Sequence, residues 1–192
     1  MNRLTRPFAL FAATGLLAAA ASPALAQQKV LPAGSEISFT TRQMGVPVEG
    51  RFKKFDAQLS FDPKQPAATQ VKFSIDTGSA GFGAPETDAE VPKAEWFNVA
   101  KFPQATFQST AVKSTGPRSL EVTGKLSLKG NVRDVVVPVT LAQAGATTTA
   151  TGAFVIKRLD FKIGEGEWAD TSMVANDVQV KFKLAVSGVA PL

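Results

Sequence analysis

The chain has 192 residues, with 21 lysines and arginines against 16 aspartates and glutamates, and it contains no histidine, cysteine or tyrosine. Those absences remove the usual general base, the thiol nucleophile, disulfides and the commonest transition-metal ligands from this chain acting alone. The net charge of +5 is dispersed in ones and twos on alternating positions, which is the pattern of a solvated outer face, so no nucleic-acid partner is expected.

Residues 1–26 read as a cleaved signal peptide. Arg3 and Arg6 form a basic start, Phe8 to Ala21 is apolar, and Ala24-Leu25-Ala26 gives the small-x-small cleavage pattern. The apolar run is too short and wrongly flanked for a membrane anchor, and the arginines are not paired as twin-arginine export needs. The expectation is export to a periplasm, cleavage after Ala26 and a mature chain from Gln27. Loss of the two leader arginines leaves 19 basic against 16 acidic residues, a balance of about +3, so the high isoelectric point carries little meaning. Residues 27–192 have the size of one domain, held by its core alone because no disulfide can form.

The first strand is Ser35 to Arg42, where Ile37 and Phe39 face one way and Glu36, Ser38 and Thr40 the other, a half-buried antiparallel pattern. Gly45 and Pro47 read as a turn or a bulged edge. Phe52 and Phe55 are three apart, so placing both rings inside requires a bulge or tight corner between them. Alternation resumes through Phe55, Ala57, Leu59 and Phe61, and again through Val71, Phe73 and Ile75.

Gly78 to Asn98 differs in character. Pro85 suits the first position of a short helix whose start would carry Glu86 and Asp88, and Pro92 stops it from becoming long. It leads into AEWFNVAKFPQATF, residues 94–107, which holds Trp96, Phe97, Phe102 and Phe107 around Pro103. This reads as an aromatic plug where helical turns feed into a strand, because the residue before proline is driven to extended geometry.

Strands follow at Thr106 to Lys113, Leu120 to Leu128 and Val135 to Leu141, with a turn signal at Gly130-Asn131 and Pro138 facing outwards. A strand from about Thr149 to Arg158 has Phe154 and Ile156 on one face, and the last runs through Val178, Val180, Phe182, Leu184 and Val186. The count is about eight strands, with no helical period of useful length. This predicts an all-β fold, an eight-stranded antiparallel barrel with one or two short helical segments closing an end. A two-sheet sandwich is the alternative.

Carboxylates are the remaining source of chemistry. Glu165, Glu167 and Asp170 gather near Trp168, but without calcium-loop spacing, and solvated loop charge is the simpler account. Arg158 and Asp160 at a strand end read either as a partly buried ion pair or as a polar pair that orients a ligand head group at a pocket mouth.

Four ordered segments, VEGRFKKFDAQLSFD, AEWFNVAKFPQATFQST, VTGKLSLKGNVRDVVVPV and IKRLDFKIG, resemble the YceI-like periplasmic proteins over nearly the whole mature chain. Members often carry histidines where this chain has Gln43 and Lys93, and a glycine where it has Lys162. The resemblance implies a lipocalin-like barrel with an elongated channel for a polyisoprenoid or similar amphiphile. Composition alone would let the twelve mature phenylalanines simply fill the core, since eight strands enclose little more than packed side chains.

The expected function is a non-enzymatic binding or carrier protein for an amphiphilic long-chain lipid, an isoprenoid, quinone or related molecule, with no other cofactor and no metal. The expected lining is Phe39, Phe52, Phe55, Phe73, Trp96, Phe97, Phe107, Leu126, Phe154 and Phe182, with Arg158 and Asp160 near a mouth. The alternative is a solid accessory module supporting a membrane b-type cytochrome or other envelope protein, because a related subgroup occurs beside such cytochromes. A homodimer is left open.

Overall fold

In the computed structural model, which describes residues 28–192, ten strands form a single antiparallel sheet. The expected leader, residues 1–26, lies outside the described residues. The strands are β1 (Lys29–Gln43), β2 (Val46–Phe52), β3 (Phe55–Ser60), β4 (Gln70–Asp76), β5 (Ala80–Gly81), β6 (Gln104–Gly116), β7 (Ser119–Leu128), β8 (Asn131–Ala144), β9 (Thr147–Lys157) and β10 (Asp177–Ser187). Their order across the sheet is β3-β4-β6-β7-β8-β9-β10-β1-β2-β5. The sheet curls so that the apolar parity of each strand faces inwards, which makes an all-β half-barrel.

The expected count of eight strands is therefore corrected to ten. The strand missed in the middle of a recognisable region is β2, because Pro47 and Gly50 argue against a strand. It tolerates the proline because β5 reaches only Arg51 and Phe52, leaving Pro47 on an open edge. With two residues, β5 is too short for any period to show. The corner between Phe52 and Phe55 is present, and Ser79 holds it: the Lys53 amide donates to the Ser79 carbonyl at 3.2 Å and the Lys54 amide to Ser79 Oγ at 3.0 Å.

Two places interrupt the wall. Where β1 and β3 run side by side, no ladder joins them among the described residues. The Gln28 amide stands in for one backbone pair, accepting from Phe61 N at 2.9 Å and donating to Phe61 O at 2.6 Å. Between β8 and β9, pairing extends only from Val139–Gly152 to Ala144–Thr147. It stops at Pro138, whose missing N–H ends the ladder.

The β7–β8 turn is Lys129-Gly130 rather than Gly130-Asn131, with Leu128 paired to Asn131 and positive φ at both turn residues, 48° and 74°. That is the primed hairpin turn matched to strand twist. A non-glycine residue is held there by its own side chain. The buried Lys129 ammonium donates to Glu95 O, Lys162 O and the Glu165 carboxylate, the last at 2.9 Å.

One end of the barrel is covered by α1 (Pro85–Glu90) and the turns that follow to Phe102. Pro85 occupies the first helical turn, as expected, and the Asp88 carboxylate accepts from Phe82 N, tying the helix to the end of β5. At the other end the C-terminal residues fold back. Gln143 donates to Ala190 O at 3.2 Å and accepts from Leu192 N at 2.9 Å, which brings Val189 into the core.

Candidate functional site: an apolar bore

The inward faces of the strands enclose one cavity of about 520 Å³ that runs from α1 to the C-terminal fold-back. This lies within the range of small-molecule and cofactor sites, about 300–1,000 Å³. Its wall is made from inward parities: Val71, Phe73 and Ile75 of β4, Leu120, Val122 and Leu126 of β7, and Val178, Val180 and Phe182 of β10. An interior so rich in phenylalanine stays hollow because of where three of the rings lie.

Each of these rings rests on a glycine of the neighbouring strand. Phe39 faces Gly50, Phe182 faces Gly152, and Phe107 lies diagonally over Gly124. A Cβ on those glycines would stand 2.7, 2.6 and 2.5 Å from ring carbons of Phe39, Phe182 and Phe107, respectively. No side chain larger than hydrogen fits. The absence of a Cβ lets each ring lie against the wall instead of crossing the bore, so the glycines set the width of the channel.

Of the expected lining residues, Phe39, Phe52, Phe73, Trp96, Phe97, Phe107, Leu126, Phe154 and Phe182 all border the cavity. Phe55 does not; it packs half-buried against the core cluster around Phe61 and Leu120. At the helix end the aromatics form a connected set. Phe39 meets Phe52 at 5.2 Å and Phe82 edge-on at 5.3 Å, Phe52 meets Phe97 at 6.1 Å, and Trp96 lies 5.5 Å from Trp168.

The ion pair considered for Arg158 and Asp160 does not exist. Arg158 is 2% exposed, and its five N–H donors end on five main-chain carbonyls, those of Ala175, Ile163, Gly164, Trp168 and Val174, at 2.6–3.0 Å. Burial lowers its pKa from the ordinary value, although a guanidinium remains charged throughout the physiological range. The carbonyl dipoles of an irregular segment thus take the place of a carboxylate. Asp160 is exposed and stands apart from the cavity lining. Arg158 forms part of the floor at the helix end, with Trp168 and Val174 held over it.

Among the described residues, three buried side-chain polar atoms have no hydrogen-bond partner: Thr41 Oγ1, Thr69 Oγ1 and Trp96 Nε1. All three residues border the cavity. Sequence reasoning missed the threonines, although Thr41 shares the inward parity of Ile37 and Phe39 and so was a polar residue on an apolar face. The acidic cluster weighed as a cation site is divided. Glu165 is committed to Lys129, while Asp170 accepts from Ser172 N at 2.8 Å and Ser172 Oγ at 2.7 Å, bonds that hold its carboxyl below the usual range.

Comparison with known proteins follows the same fold. The family model for the YceI-like domain matches residues 29–186. The chain is 40% identical over 134 residues to the protein YceI of Salmonella arizonae, covering 68% of each. It is 44% identical over 88 residues to a UPF0312 protein of Azotobacter vinelandii, a match that spans 46% of each chain, about half of that relative. Among solved structures, Burkholderia cenocepacia BcnA superposes with a TM-score of 0.80 at 46% identity, over 82% of this chain and 99% of that one. A domain from Saccharophagus degradans, described as polyisoprenoid binding and implicated in plant cell wall breakdown, shares the fold at TM-score 0.68 and 16% identity, over 86% and 99%. The chain belongs to the YceI-like family.

Proposed function

We propose that the protein is a periplasmic binding and carrier protein for a long-chain isoprenoid, quinone or related amphiphilic lipid, held along the bore. The observation that carries this reading is the cavity itself: about 520 Å³, bounded by inward apolar side chains and kept open by three ring-on-glycine contacts. The Saccharophagus domain, described as polyisoprenoid binding, supports the same class of ligand. Each methylene transferred from water contributes about 0.8 kcal/mol, so a chain of a few isoprene units offsets the cost of ordering it and of lost translational freedom.

On this reading the protein is not an enzyme, and its only bound group is the lipid. Native mass spectrometry of protein isolated from the envelope of expressing cells is the test. A lipid adduct is expected; a clean protein mass, together with no uptake of an added long-chain alcohol, refutes the carrier.

A second reading, docking to a membrane protein such as a b-type cytochrome, draws on a different observation. Met44 and Val46 at the β1–β2 hairpin and Met173 beside it are exposed, and Met44 N donates to Met173 O at 2.8 Å. These apolar groups sit at the helix end, next to Gln43 and Val174 of the cavity lining. Replacing both methionines with serine should weaken co-purification with such a partner while leaving lipid content unchanged.

A further inference from the structure

Resting on the carrier reading, we propose that the lipid chain enters and leaves the bore sideways, through a window in the wall between β8 and β9. Two independent observations carry this.

The first is the backbone. β8 is paired to β7 from Asn131 to Thr140, and β9 to β10 from Thr147 to Lys157. Between β8 and β9 themselves the ladder ends at Val139–Gly152. Successive residues of a strand turn their main-chain groups to opposite neighbours. Leu141 donates its amide to Arg118 O on the β7 side, so Pro138, Val136 and Asp134 turn theirs towards β9. The Pro138 carbonyl lies against Gly152 and marks one edge of the window. Asn131 Nδ2, donating to Phe161 O at 3.2 Å, marks the other. The stretch of β8 between those edges, residues 132–137, has no ladder partner in β9, a length of about 20 Å at ~3.3 Å per residue.

The two edges are not held to one another by side chains either. Continuing the register of Val139–Gly152 would set Val136 opposite Val155 and Asp134 opposite Lys157. Instead Asp134 is bound to Lys125 of β7 at 2.9 Å, and Lys157 to Asp177 of β10 at 3.0 Å. Each charge is engaged on the far side of its own strand.

The second observation is the rim. Val132, Val136 and Val155 project outwards from the unpaired stretches and are 49%, 53% and 56% exposed. On either side of Val155, Phe154 and Ile156 point inwards and border the bore. Apolar side chains thus stand on both faces of a wall one strand thick, and a hydrocarbon chain crossing it exchanges one apolar surface for another.

The other interruption of the wall, between β1 and β3, differs on both counts. Gln28 bridges it with two hydrogen bonds to Phe61, and the outward residues of β3 are the exposed Asp56, Gln58 and Ser60. The ends of the barrel are covered by α1 with its following turns and by the C-terminal fold-back.

The chain has no cysteine, so the pair Val136→Cys/Val155→Cys can be stapled across the window with bis-maleimidoethane. N-ethylmaleimide on the same pair controls for modification, and stapled Thr140→Cys/Thr151→Cys, on the paired stretch of the same strands, controls for crosslinking. The readout is uptake and release of radiolabelled geranylgeraniol between phosphatidylcholine vesicles and protein held on beads. The window staple should slow both rates by about tenfold or more, because an end must then open instead, and leave the equilibrium affinity within about twofold. Val136→Ser/Val155→Ser, which removes the apolar rim without a linker, should slow both by about threefold. Equal rates in stapled and N-ethylmaleimide-treated protein, or equal slowing by the Thr140–Thr151 staple, overturns the window while the carrier stands; should the cysteine pair fail to fold, unchanged rates in the serine pair do the same. No uptake of geranylgeraniol by the unmodified protein overturns the carrier reading itself.

Discussion

Gly50→Ala tests how the bore is kept open. An alanine in a strand should by itself stabilise the chain, since glycine costs about 0.5–1 kcal/mol relative to alanine through backbone entropy. Here the new methyl would lie 2.7 Å from Phe39 Cε2 and 3.1 Å from Cε1. To reach the ~3.5–4.0 Å optimum of carbon–carbon contact the ring must retreat by about 1 Å. Phe82 and Phe52 stand behind it at 5.3 and 5.2 Å between centroids, and the open direction is the bore. Overpacking of this kind costs about 1–3 kcal/mol, so the net effect should be a loss of about 0–2.5 kcal/mol, centred on ~1 kcal/mol. Urea unfolding of Gly50→Ala, Phe39→Leu and the double variant provides the cycle. In the Phe39→Leu background the added methyl should cost little or nothing, and ligand affinity should fall in Gly50→Ala alone. A Gly50→Ala protein more stable than the parent, or an equal penalty in both backgrounds, would refute the claim that glycine seats the ring.

Four further outcomes follow from the structure. Arg158→Met should destabilise by about 3–5 kcal/mol, because five carbonyls lose their donor at once in a buried site; a urea-derived loss under about 1 kcal/mol would contradict the carbonyl cage. The Asp170 carboxyl, held low by Ser172, should titrate below the ordinary aspartate value by NMR and return towards it in Ser172→Ala. Its folded pKa is depressed, so its local contribution is present above the unfolded value and is lost as pH falls through the folded one. In hydrogen exchange, β9 should divide, with residues 147–152 protected on both sides and about half the amides of 153–157 exchanging quickly where β8 no longer pairs. N-terminal sequencing of the exported protein should begin at Gln27, and an intact leader would contradict export with cleavage.

The strands were legible wherever one face is apolar and the other polar, as in β7 and β10, because period two then has a single interpretation. β2 was hidden by residues that serve other purposes: Pro47 sits on an open edge, and Gly50 is the seat of Phe39. The lining could be read from parity except at Phe55, which follows the corner at Lys53-Lys54 and packs against the cluster around Phe61 and Leu120 without bordering the bore. Arg158 could not be understood from its neighbours in sequence. Its partners are carbonyls of an irregular segment spanning residues 163–175, and no residue type announces a carbonyl. The hollow interior was likewise invisible in composition, since twelve phenylalanines fit a solid core as well as a lined tube. Which of the two forms depends on ring-to-glycine pairing across strands, and pairing is a property of register.

The central claim is that a lipid chain lies along this bore. A crystal structure of the mature protein saturated with geranylgeraniol addresses it most directly. The account predicts continuous density for an extended chain from Thr41 and Trp96 to the neighbourhood of Thr69, with the rings of Phe39, Phe107 and Phe182 still lying on their glycines. A bore filled by those rings, with the alcohol bound elsewhere or absent, would contradict it.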